Sequence, residues 1–106
     1  MLRTSAPLIG ALGGRIEINR MPEISRFLGI VIAMFYNDHA PPHFHARYGD
    51  LEIRVDIQTG HILSGSFPRR AESLVLEWLG LHRSELMLNW ELAGKRKPLL
   101  KVPPLE

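Results

Sequence analysis

Apolar and polar positions change rhythm three times along this chain, and each change predicts a different element. From Leu28 to Tyr36 the residues are continuously apolar, with β-branched and aromatic side chains prominent. A run of this length, bounded by Ser25-Arg26 and Asn37-Asp38, reads as a strand buried on both faces or nearly so. From His43 to Asp56 the rhythm becomes alternation about Gly49-Asp50, which suits a two-residue type I′ or II′ hairpin turn. That register sets Tyr48 opposite Leu51, Ala46 opposite Ile53 and Phe44 opposite Val55 on a core face. The other face pairs Arg47 with Glu52, His45 with Arg54 and His43 with Asp56. A turn at Thr59-Gly60 leads to His61–Phe67, where Leu63 and Phe67 fall out of phase, so a bulge or three-residue loop is expected.

After Pro68 the period becomes helical. Ala71, Leu74, Val75, Trp78, His82, Leu86, Asn89/Trp90 and Ala93 form one stripe. Gly80 predicts a kink or a break, with the second helix covering Ser84 to Ala93. Gly94, the basic Lys95-Arg96-Lys97 and Pro98 read as a stop. The tail to Glu106 offers at most a short extended segment. The expected fold is therefore α+β: a small antiparallel β-meander of about four strands, with one long kinked helix or two helices packed on one face. The helix should cover Phe44, Val55 and Ile53, leaving the histidine face open to solvent, to the N-terminal segment or to a partner. Residues 1–20, with Gly10, Gly13 and Gly14, look different: a flexible extension, or a short edge strand at Arg15–Asn19. Residues 21–106 form the single domain.

Composition narrows the chemistry. The chain has 106 residues and no cysteine, so disulfides and thiolate sites are excluded and any metal needs His, Asp or Glu ligands. No apolar run approaches the roughly 20 residues needed to cross a bilayer, and the N-terminus lacks a secretory pattern, so a cytoplasmic protein is expected. Net charge is +2, but ten of the thirteen bases are arginine, the side chain best suited to phosphate and carboxylate.

The chemistry concentrates in Asn37–Asp50, where three of the five histidines fall within seven positions around Pro41-Pro42. His43 and His45, two apart on a strand, can both reach one divalent metal ion. His39 could fold back as a third ligand, with Asp38 or Asp56 completing the set. A metal-free RNase reading uses His43, oriented by Asp56, with His45 and Arg54 as the catalytic set. Arg47, Arg69 and Arg70 would then bind nucleic acid. A structural reading makes Asn37 and Asp38 turn caps and Arg47–Glu52 an exposed ion pair worth well under 1 kcal/mol. Trp78 and Trp90 read as core, and His82 as a partly buried histidine.

From Met21 to Glu106 the chain resembles a small bacterial family known only as domain-of-unknown-function family forty-one-sixty. The match lies in Met21–Phe27, in Asn37–Ala46 with its His-Pro-Pro-His-x-His string, in Pro68–Ala71, Leu76–Trp78 and His82–Leu86, and in Asn89–Ala93. The resemblance implies a two-gene cassette of the kind proposed as toxin–antitoxin pairs, hence a small antitoxin-like partner protein; it brings no reaction. The functional expectation is a toxin-type component acting on RNA through the His/Arg sheet face. The alternatives are a non-catalytic interaction or regulatory module working with a small partner, and a His-ligated metal-binding protein.

Overall fold

The computed structural model describes residues 21–106. The expectations for residues 1–20 lie outside the described residues. Five antiparallel strands follow one another in space as in sequence: β1 (Glu23–Phe27), β2 (Ile30–Ala33), β3 (His43–Tyr48), β4 (Leu51–Asp56) and β5 (Ile62–Ser64). Among the described residues one helix, α1 (Arg69–Gly94), packs on the sheet. This is the expected α+β meander with one strand more than about four.

The extra strand, β1, lies just ahead of the apolar run, on residues that include its expected boundary at Ser25-Arg26, and the run itself begins with a turn. Leu28 (φ 51°) and Gly29 (φ 84°) adopt left-handed conformations and turn the chain, so β1 and β2 form a hairpin. A left-handed leucine is uncommon, and nothing in an apolar stretch announces it. The β3–β4 hairpin follows the expected register at every pair, from His43 opposite Asp56 to Tyr48 opposite Leu51, with Gly49 at φ 60°. The expected bulge lies between β4 and β5: Val55 pairs with Ile62 and Arg54 with Ser64, leaving Leu63 as the extra residue.

The core lies between the sheet and α1. Trp78 stands edge-on to Phe44 at 5.7 Å and tilted against Phe27 at 5.4 Å, with Ile53, Val55, Ile57 and Val75 fully buried around it. The break in α1 falls at His82 (φ −129°, ψ 24°) rather than at Gly80. Its surroundings fix it there. The His82 ring leans on Trp78 and its Nδ1 lies 2.6 Å from Glu85, while Arg83 Nε donates to the Ile57 carbonyl at 2.9 Å. The helix ends at Gly94, but the left-handed residue that closes it is Arg96 (φ 58°), and the basic residues follow the last turn instead of occupying it.

The tail is more than a loose end. Asn89, fully buried, donates from Nδ2 to the Leu100 carbonyl and accepts the Leu100 amide, each at 2.8 Å. The Val102 amide donates to Ile24, and Trp78 Nε1 donates to Pro103. Two polar side chains of the helix stripe thus face the tail, whose Val102 is buried in the core.

Candidate metal centre

The loop Met34–Pro42 carries the chain from β2 to β3 across the end of the sheet nearest the C-terminus of α1. Asn37, left-handed at φ 54°, donates its amide to the Ala93 carbonyl at 3.1 Å and so docks the loop on the helix end. Asparagine tolerates this conformation better than most residues. The Ala40–Pro41 peptide bond is cis. Asp38, next to the anchor, is held over the start of β3, where His43 and His45 point from the face opposite Phe44.

This end of the face is not open. His43 is 2% exposed and His45 6%. The Phe35 ring meets His45 edge-on at 4.7 Å, and Trp90 lies 5.3 Å from His43. The expectation of a solvent-facing histidine face therefore fails at its two central residues. The loop and the second half of α1 wrap around the sheet end, which strand alternation alone does not reveal.

The hydrogen bonds determine which ring nitrogens are free. His43 Nδ1 lies 2.7 Å from the Pro41 carbonyl. A carbonyl only accepts, so Nδ1 carries the proton and donates. His45 Nδ1 lies 2.9 Å from Glu52 Oε2, which likewise accepts. Both Nε2 atoms then face one carboxylate oxygen, Asp38 Oδ2, at 3.0 and 3.5 Å. Two imidazole lone pairs and a carboxylate oxygen converging on one point repel one another unless a cation lies among them. That cation is a proton on one ring or a metal ion.

The two spacings to Asp38 Oδ2 suit an ion. Bonds of about 2.0–2.2 Å put ligand atoms about 3.0 Å apart at right angles and about 3.5 Å apart at tetrahedral angles. Among the described residues, Asp38, His43 and His45 are the group whose ligand atoms come within 4.8 Å of one another. Burial opposes ionisation of Asp38, but the His39 amide and the imidazoles, in the form that carries a proton on Nε2, outweigh it and hold its pKa below the ordinary carboxylate value. Burial also acts on Glu52, where bonds from His45 and Arg47 again win and lower its pKa. Arg47 Nε donates to Glu52 Oε1 at 3.2 Å, so the expected cross-strand ion pair exists and carries an added function: its carboxylate also holds His45.

The other candidate residues stand apart from the triad. Asp56 lies opposite His43 in register, yet its Oδ1 accepts the Gln58 and Thr59 amides at 2.8 and 3.0 Å and caps the following turn. The partner expected for His43 is therefore replaced by Asp38 and Pro41. His39 is exposed and contributes only its amide, which donates to Asp38 Oδ1 at 2.8 Å. Arg54 Nε donates to Ser64. Arg69 and Arg70 open a 26-residue helix whose far end carries Trp90. At 1.5 Å per residue, Arg70 to Trp90 is roughly 30 Å of straight helix. Glu52 is the site residue that sequence reasoning passed over. Its signal was present: it is adjacent to His45 along the same sheet face in the Gly49-Asp50 register.

Fold and site together define a small α+β protein carrying two histidines and one carboxylate on a single hairpin and its preceding loop. The chain belongs to the family described as Domain of unknown function (DUF4160), whose model matches residues 29–91. That span holds all three convergent residues and Glu52. No curated protein and no solved structure matches the chain.

Proposed function

We propose that this is a metal-binding protein whose centre takes one divalent transition-metal ion through Asp38, His43 Nε2 and His45 Nε2. The observation that carries the reading is the pair of Nδ1–H donors, to Pro41 and Glu52, which turn both Nε2 lone pairs onto Asp38. Metal-ligating histidines characteristically donate their other N–H to a carbonyl or carboxylate in this way. Two imidazoles and one carboxylate suit zinc or ferrous iron better than calcium or magnesium. Three protein ligands leave a position for an exogenous one, the pattern of catalytic rather than structural sites. The C-terminal end of α1 adds partial negative charge beside Asp38 and favours a cation there.

Burial of both imidazoles counts against their direct attack on a polynucleotide. Toxin action on RNA, with Arg47 and Arg54 as phosphate contacts and an antitoxin-like partner protein, therefore stands behind the metal reading.

The test strips the full chain with chelator, dialyses it against Zn²⁺, Fe²⁺ or Mn²⁺, and measures bound metal by mass spectrometry. One ion per chain is expected for the wild type, falling sharply in Asp38→Asn and His45→Gln, with folding checked by circular dichroism. A folded wild type that retains no metal refutes the reading.

A further inference from the structure

The metal centre borders a pocket, and the pocket limits what can bind the ion. We infer that the exchangeable ligand of this centre is a small molecule of a few heavy atoms, neutral or singly negative, and not a polynucleotide; the inference rests on the metal-centre reading. Asp38 belongs both to the ligand set and to the wall of the pocket, whose other walls are Trp90, Ala93 and Gly94. Trp90, one wall of this space, packs on its other side against His43, with ring centroids 5.3 Å apart. The volume is about 60 Å³. At about 10–15 Å³ for each water position, that is room for about four to six waters. Water, dioxygen or a triatomic anion fits wholly within it; a ribose phosphate would have to stand mostly outside it.

Charge points the same way. The Asp38 carboxylate and the helix C-terminus both repel a polyanion. A divalent ion held by one carboxylate and two neutral imidazoles keeps a single net positive charge, which a neutral molecule or a monoanion matches. Indole, methyl and glycine walls offer a phosphate no hydrogen-bond donors from side chains other than the indole N–H.

The experiment loads the full chain with Co²⁺ and follows its visible absorption during titration with azide. A saturable spectral change is expected, with no change from adenosine monophosphate or an RNA oligonucleotide. Gly94→Leu tests the route. Gly94 is exposed, and a Cβ there meets nothing within 4 Å, so the fold should survive while the added side chain narrows the pocket. Azide affinity should fall about tenfold or more through crowding, with Co²⁺ loading unchanged. A spectrum that responds to the nucleotide or the RNA, or unaltered azide affinity in Gly94→Leu, overturns the inference. Loaded Co²⁺ that ignores azide overturns it while leaving the metal centre standing; failure to load Co²⁺ overturns both.

Discussion

At the scale of single residues, Glu52 separates a positioning role from a surface charge. Its carboxylate accepts from His45 Nδ1 with one oxygen and from Arg47 with the other. If Glu52 were only the partner of an exposed arginine, removing it would cost well under 1 kcal/mol and leave the centre alone. As the group that fixes the His45 tautomer, it should matter to the ion. Glu52→Ala is expected to weaken metal affinity by about 10–100-fold, with Glu52→Gln between it and wild type. Arg47→Ala should change affinity far less, because the His45 contact survives. Isothermal titration with Zn²⁺ at fixed pH ranks the three variants. Equal affinities for Glu52→Ala and Arg47→Ala would reduce Glu52 to a surface charge.

At the scale of elements, β5 is short but braces the same residue. Gly65 (φ 80°) follows it directly, and a Cβ there would collide with the Glu52 carbonyl oxygen. Gly65→Ala must therefore move the backbone of Glu52 as well as occupy a left-handed conformation, itself costing about 1–2 kcal/mol. A drop in denaturant midpoint is expected together with weaker metal binding; a loss of stability with metal affinity intact would show that β5 does not support the site. Which elements were legible follows from how local their causes are. The β3–β4 register was readable because alternation about Gly49-Asp50 sorts every pair. The β1–β2 turn was not, since its first left-handed residue is a leucine at the head of an apolar run, a side chain that signals no turn. His43 and His45 were readable as a same-face pair. Their burial, and the choice of Asp38 over His39 and Asp56, depend on Asn37 docking to Ala93, a contact between positions far apart in sequence. Spacing carries no trace of that contact.

At the scale of the whole molecule, two features govern stability. The first is acid sensitivity. The Thr59 amide lowers the Asp56 pKa most and outweighs burial, while Asp38 and Glu52 are lowered for the reasons above, from ordinary values of 3.8 for aspartate and 4.5 for glutamate. Depressed carboxylates contribute stability that is fully present above those ordinary values and is lost as pH falls through the folded ones. Thermal midpoints should therefore decline below about pH 4.5. In Asp56→Asn, which keeps an acceptor for the turn amides but cannot titrate, the decline should be shallower; an unchanged slope would assign acid sensitivity elsewhere.

The second is the tail, which ties the helix to β1 and indirectly to the metal centre. Ending the chain at Pro98 would strand both polar atoms of buried Asn89 and the indole N–H of Trp78, and would uncover the apolar surface beneath Val102. Each stranded buried group costs about 1–3 kcal/mol, against a total stability of about 5–15 kcal/mol for a domain of this kind. The truncated chain is expected to be largely unfolded or close to it in urea titration. Asn89→Ala, losing one reciprocal pair and leaving the Leu100 groups unpaired, should be destabilised by about 2–3 kcal/mol. Because Asn89 adjoins Trp90, and Trp90 covers His43, loosening the tail should also weaken the centre. Added Zn²⁺ would then restore less stability to Asn89→Ala than the about 2.7 kcal/mol that a hundredfold excess over Kd gives an intact site. Equal recovery in both proteins would mean that the tail holds the helix without holding the metal.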